Sequence, residues 1–128
     1  MKVRDGGDVT LISTGIQTPR TVEAAEMLQA EGINALILHV PTLKPLDVDA
    51  AVAAAERTGL VVTAEEHSIL GGLGGAVAEV LSEHRPTPMA RVGVRDVYAE
   101  SAPNDALLEK YGVTARHVAQ AARSHLAK

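Results

Sequence analysis

Residues 61–77 read VVTAEEHSILGGLGGAV, and this stretch decides how the rest of the sequence is interpreted. The apolar, β-branched run at 60–64 is typical of a buried strand, and the polar residues at 65–68 are predicted to form an elbow after it. A cluster of glycines then precedes an apolar segment that predicts a helix from about Gly74 to His84. Carboxylates, an imidazole and backbone amides are thus gathered at one strand end, where open α/β sheets place their working surface.

The flanking sequence repeats this strand-then-helix pattern. Further apolar strands are predicted at 9–14, 35–40 and 88–94. Further helices are predicted at about 18–31, 48–58, 101–111 and 114–126. Thr18 and Asp47 are predicted to be the N-caps of two of them. Continuous apolar strands that alternate with helices indicate a largely parallel sheet covered on both faces.

The first residues predict one more strand. Lys2-Val3-Arg4 is a short candidate strand, and Asp5-Gly6-Gly7-Asp8 is a turn signal after it. By itself the turn predicts a hairpin that places this strand beside the strand at 9–14.

The composition of the chain argues against several classes of function. With 128 residues and 46% hydrophobic residues, the sequence predicts one globular domain over residues 1–128. The formal net charge is −4, the basic residues are dispersed and only two tyrosines are aromatic, so a nucleic-acid partner is not expected. No apolar run approaches the roughly 20 residues of a membrane span, and the N-terminus has no apolar leader. Cysteine is absent, and we expect a cytoplasmic protein without membrane association.

The polar residues at 65–68 are the first candidate site. Glu65, Glu66, His67 and Ser68 place two carboxylates beside an imidazole, a combination that can tune proton affinity. The alternative is a solvated strand end at which Glu65 or Glu66 caps backbone amides. We expect these residues to contact another domain or subunit rather than to catalyse a reaction, and no catalytic residue is assigned.

The glycine cluster is the second candidate site. Gly71, Gly72, Gly74 and Gly75 precede or open a helix, where backbone amides favour an anion. Neither a dinucleotide fingerprint nor a phosphate loop with its lysine is present. The alternative is that glycine permits a tight turn and close contact between helix and sheet. The five histidines are scattered without metal-ligand spacing, so no metal site is predicted.

Four stretches in this order resemble the C-terminal domain of transketolase, a thiamine diphosphate enzyme. They are DVTLISTG at 8–15, LKPLD at 43–47, the segment 65–75, and ESAP at 100–103. The last is the most distinctive of transketolases. The first three are also similar to the β subunits of 2-oxoacid dehydrogenases and to deoxyxylulose-phosphate synthases.

The resemblance implies a fold. It is a three-layer α/β/α domain with a mixed five-stranded sheet in the order 1-3-2-4-5, in which strand 1 is antiparallel to the rest. That order conflicts with the hairpin prediction for residues 2–14. We prefer the family order, because a two-glycine turn is compatible with a wider crossover.

The resemblance also implies a role in a larger assembly. In the family the cofactor lies between pyrophosphate-binding and pyrimidine-binding domains, which this sequence lacks, so the chain itself is expected to bind no cofactor. Thiamine diphosphate and Mg²⁺ belong to the assembled enzyme, which moves two-carbon ketol units between sugar phosphates or related substrates.

We therefore expect a C-terminal structural subunit of a split transketolase that extends a homodimer interface and is inactive alone. One alternative is a free-standing regulatory module that binds an anionic metabolite at Gly71–Gly75. Another is the C-terminal domain of a β subunit from a 2-oxoacid dehydrogenase-like enzyme.

Overall fold

The computed structural model describes residues 2–14, 17–40, 47–68, 72–94 and 115–126. The helix predicted at 101–111, the motif at 100–103, residues 41–46 and Gly71 lie outside these ranges.

Five strands and four helices make up the described part of the chain. The strands are β1 (Lys2–Arg4), β2 (Val9–Thr14), β3 (Ala35–Val40), β4 (Val61–Ser68) and β5 (Met89–Val94). The helices are α1 (Thr18–Gln29), α2 (Val48–Thr58), α3 (Leu73–His84) and α4 (Ala115–Leu126). The sheet order is β1-β3-β2-β4-β5, with β1 antiparallel to β3 and the other pairs parallel. The order implied by the family resemblance is therefore confirmed.

The hairpin prediction for the first strand is wrong, because β1 pairs with β3 and not with β2. The segment between them passes closely along the start of β3. A Cβ on Gly6 would lie 2.4 Å from the carbonyl carbon of Ala35, so only glycine fits there. Beyond it, Asn34 N donates to Asp8 Oδ2 at 2.7 Å, and Asp8 N donates to Asn34 O at 2.9 Å. The two-glycine turn is thus a crossover past β3.

Helices cover both faces of the sheet and create two separate cores. On the first face α1 and α4 pack on alternate residues of the strands, among them Leu11, Ile37 and Val62. On the second face α2 and α3 pack on the intervening residues, among them Ile12 and Val61. Because successive strand residues point to opposite faces, the apolar runs supply both cores at once.

The helix boundaries follow local signals in most places. Asp47 is the N-cap of α2, and its Oδ1 accepts from Ala50 N at 3.0 Å. Gly59 ends that helix with a φ of 77°, in the left-handed region that favours glycine. Both features were predicted from the sequence.

Two local predictions are wrong. Thr18 is the first residue of α1 rather than its cap, since the cap position belongs to Gln17. The polar residues at 65–68 are not an elbow, because β4 continues through them. A register shift between Ala64 and Ser68 lets the strand pair again with β5, where Ser68 lies opposite Val94.

Candidate functional site

The two central strands direct the chain to opposite faces of the sheet. β2 leads into α1 on the first face, whereas the neighbouring β4 leads into α3 on the second. A crevice forms outside the carboxyl ends of two parallel strands when their connections diverge in this way. This switch point is where an α/β sheet is most suited to meet a ligand or a partner.

Glu65 forms the α3 side of the switch point. The residue is only 3% exposed. Its Oε1 accepts from Leu73 N at 3.0 Å, and its Oε2 accepts from Gly74 N at 2.9 Å. These are the first two amides of α3, which have no partners inside the helix. The carboxylate thus takes the position that an external anion would need at these two amides.

Strand alternation explains why Glu65 reaches the helix. Val61 belongs to the core beneath α2 and α3, and Glu65 lies four residues further along the same strand. The period of two therefore places both side chains on the same face. At the N-cap position of α3, Gly72 offers no side chain to bond the free amides. Glu65, a strand residue eight positions before Leu73, supplies the cap instead.

The remaining predicted site residues fall into three groups. Glu66, His67 and Ser68 form the last part of β4, and their side chains lie outside the described part of the chain. Gly72 is the N-cap of α3, and Gly74 and Gly75 are in its first turn. Gly71 lies outside the described ranges.

Gly74 lies in close contact with the sheet. A Cβ at this position would lie 2.5 Å from Arg91 Cδ and 3.1 Å from Thr63 Oγ1. The Thr63 hydroxyl is buried and makes no hydrogen bond. Glycine at 74 therefore serves close helix–sheet packing, as one of the two interpretations of the cluster predicted.

A chain of polar side chains forms the α1 side of the switch point. Ser13 Oγ and Thr18 Oγ1 are hydrogen-bonded at 3.0 Å, and Thr18 Oγ1 and His39 Nδ1 at 2.7 Å. Ser13 and His39 are direct partners in the parallel pairing of β2 with β3. The chain thus ties the start of α1 to two strands. This connection was not predicted from the sequence, although strand alternation places Ser13 and His39 on the face that α1 covers.

The Glu31–Arg123 ion pair lies away from the switch point. Glu31 follows α1 and so lies toward the amino edge of the sheet. Arg123 Nη2 donates to Glu31 Oε2 at 2.6 Å, and Arg123 Nε donates to Oε1 at 2.8 Å. These hydrogen bonds lower the pKa of Glu31 and raise the pKa of Arg123. This pair joins α1 to α4 and has no contact with the candidate site.

His117 also has a shifted pKa. Burial lowers the pKa of its imidazole, and the positive charge of Arg116 lowers it further. Across the described ranges, no three His, Asp or Glu side chains converge on a point where they could hold a metal ion. None of the described helices is long and apolar enough to cross a membrane.

Comparison with known proteins agrees with the fold and with the motifs. The model of the family "Transketolase, C-terminal domain" matches residues 1–118. The chain belongs to this family. It is 49% identical over 120 residues to the 6-deoxy-6-sulfo-D-fructose transketolase subunit SqwH of Clostridium sp. strain MSTE9. It is 39% identical over 122 residues to a 1-deoxy-D-xylulose-5-phosphate synthase of Heliobacterium modesticaldum.

A solved structure is similar over almost the whole chain. It is described as a split gene transketolase, inactive beta4 tetramer, and it superposes with a TM-score of 0.93 at 54% identity. The match covers 99% of this chain but 42% of that one. The matches to the SqwH subunit and to the synthase each include 94% of this chain, but only 37% of the subunit and 19% of the synthase. Most of the length of these transketolase relatives therefore lies outside the matched region.

Proposed function

We propose that the chain is the structural, non-catalytic C-terminal part of a thiamine diphosphate-dependent transketolase assembled from more than one polypeptide. The assembled enzyme transfers two-carbon ketol units between sugar phosphates or related substrates. The chain packs against the domains or subunits that bind the pyrophosphate and pyrimidine parts of the cofactor, and it extends a homodimer interface. We propose a cytoplasmic location for this assembly.

The observation that carries the non-catalytic role is the position of Glu65. A general acid or base must reach a substrate, but this carboxylate is buried and accepts hydrogen bonds from Leu73 N and Gly74 N. Its role in this geometry is to hold the start of α3. The family match and the partial coverage of longer relatives support the remainder of the proposal.

The residues of the described ranges do not fit the cofactor. A diphosphate held through Mg²⁺ needs several oxygen ligands at one point, and no such cluster is present among them. The sequence contains two tyrosines and no phenylalanine or tryptophan, so aromatic walls for a pyrimidine ring are scarce. We therefore assign the cofactor to the partner polypeptides and derive no chemical step within this chain.

The two alternatives have less support. A regulatory anion at Gly71–Gly75 would compete with Glu65 for the amides of Leu73 and Gly74. The interpretation as a β-subunit domain of a 2-oxoacid dehydrogenase-like enzyme stays a prediction.

A reconstitution experiment tests the proposed function. The purified chain is assayed for ketol transfer with thiamine diphosphate and Mg²⁺, alone and after addition of a polypeptide that carries pyrophosphate-binding and pyrimidine-binding domains. We expect no turnover from the chain alone and a gain in turnover or thermal stability of the mixture. Turnover by the chain alone would overturn the proposal, and so would a mixture in which sedimentation detects no complex.

A further inference from the structure

A cavity of about 450 Å³ lies between α2 and the edge formed by β1 and β3. Its volume is in the range of small-molecule sites. The wall and floor are apolar and consist of small or buried side chains: Leu36, Leu38, Ala50, Ala53 and Ala54. The charged residues around it are Lys2, Asp5, Asp47 and Arg57. The cavity lies on the face of α2 and α3, away from the α1 side of the switch point.

Two cations converge at one part of this cavity. Lys2 Nζ is 3.7 Å and Arg57 Nε is 3.8 Å from the same atom, Asp5 Oδ1. Both distances exceed that of a hydrogen bond. The same oxygen already accepts from Gly6 N at 3.0 Å. One carboxylate therefore faces two positive charges here, while Asp47, at the start of α2, brings the net charge of the four charged residues around the cavity to zero.

Local backbone features hold this arrangement. A bulge between Lys2 and Arg4 places Lys2 opposite Leu38 on the cavity face, while Arg4 lies opposite Ile37 and donates to Gln29 on the other face. Arg57 is in the last turn of α2, where the helix carbonyls favour a cation. Its guanidinium lies over Gly7, at 3.8 Å from the position of a Cβ there. The two cations therefore come from different elements that the fold brings together.

We propose that this cavity binds a small amphiphilic anion, with one carboxylate, sulfonate or phosphate group and a short aliphatic body. The anionic group lies between Lys2 and Arg57, which can donate charge-assisted hydrogen bonds to it. The aliphatic body covers Leu38 and the alanines of α2, which removes apolar surface from water. This site is separate from the glycine cluster, and the proposal does not depend on the transketolase function.

The test is a ¹H–¹⁵N NMR titration of the full chain with sodium hexanoate. Hexan-1-ol has the same body without the charge, and inorganic phosphate has charge without the body. We expect saturable shifts from hexanoate that are confined to the residues lining the cavity. We expect binding weaker by about tenfold or more for hexan-1-ol and for phosphate, because each lacks one of the two contributions.

Variants distinguish the cavity from a nonspecific effect of charge. Arg57→Gln and the double variant Lys2→Gln/Arg57→Gln should weaken hexanoate binding, the double variant by about tenfold or more. Ala53→Leu should abolish hexanoate binding, because the larger side chain takes up space along the apolar wall of the cavity. Position 53 is exposed, so we expect the fold to tolerate this change. The matched control is Arg85→Gln, which removes an exposed cation elsewhere and should leave the affinity unchanged.

Several outcomes would overturn the proposal. One is the absence of saturation below about 50 mM hexanoate. Another is equal affinity in wild type, Arg57→Gln and Ala53→Leu. If phosphate alone binds as tightly as hexanoate, the apolar wall has no role and the amphiphilic assignment is wrong. Shifts centred on α3 instead of α2 would move the anion to the glycine cluster and would also refute it.

Discussion

The two strand-to-helix junctions at the switch point hold their helices in different ways. α3 begins with a leucine and two glycines, and a single buried carboxylate, Glu65, bonds its first two amides. α1 begins without a side-chain cap, but Pro19 in its first turn has no amide to satisfy. Thr18 instead joins that turn to Ser13 and His39. The glycine-rich start of α3 thus depends on one residue of the sheet, whereas the start of α1, which contains proline, is held by a network of three side chains.

Removal of Glu65 should have the largest effect. Glu65→Ala leaves two buried amides without partners, and we expect a loss of about 2–4 kcal/mol in the free energy of unfolding, measured with urea. Glu65→Gln should cost less, since one acceptor oxygen remains. The control Glu79→Gln changes an exposed acid of α3 and should stay within about 0.5 kcal/mol of wild type. An equally small change for Glu65→Ala would contradict the capping role.

Thr18→Val should have a moderate effect, because it removes the hydroxyl that bonds both Ser13 and His39 while keeping the shape. We expect a loss of about 1–2 kcal/mol. Hydrogen exchange should accelerate at the start of α1 in this variant and at the start of α3 in Glu65→Ala. Ser82→Ala, at an exposed hydroxyl of α3, is the control. Acceleration at both helix starts in either variant would show that the junctions are not independent.

Alanine at the two adjacent glycines of α3 should have opposite effects. Nothing lies within 4 Å of a Cβ on Gly75, so Gly75→Ala should stabilise the protein by up to about 1 kcal/mol through helix propensity. Gly74→Ala should cost about 1–2 kcal/mol, because Arg91 and the buried Thr63 hydroxyl would have to shift. Thermal melts of the two single variants provide the measurement. A gain in both would mean that the contact at Gly74 relaxes at no cost.

The smallest effect should come from Glu31→Gln, at the exposed ion pair with Arg123. Arg123 lowers the pKa of Glu31 in the folded state, so the pair stabilises the protein above the ordinary pKa of this carboxyl group. This stabilisation is lost as the pH falls through the lower, folded-state value. The difference in Tm between wild type and Glu31→Gln should therefore vanish in acid and shrink in salt. A difference that persists in acid would exclude the ion pair as its cause.

Most elements could be predicted from the sequence because their signals are local. The strands at 9–14 and 35–40 and the helix at 48–58 have the predicted bounds, since apolar runs, Asp47 and Gly59 mark them. The sheet order came only from the family resemblance. The turn at 5–8 indicated a hairpin, because the contact between Gly6 and Ala35 that forces a crossover is not visible in local sequence.

The candidate residues could be placed in the fold from the sequence, but their contacts could not. The sequence located the residues at the carboxyl end of β4 and included amide capping by Glu65 as an alternative. It could not show that β4 continues through residues 65–68, because the register shift against β5 is a property of two strands together. Thr18 was misassigned as a cap for a similar reason. Its hydrogen-bond partners come from two strands rather than from its own helix.

The bulge in β1 makes the beginning of the domain sensitive to the exact spacing of its residues. Lys2 and Arg4 are two positions apart, yet they serve opposite layers of helices. In a regular strand, residues two positions apart point to the same face, so without the bulge both basic side chains would lie on one side of the sheet. A three-residue strand can therefore divide two positive charges between the two layers of helices.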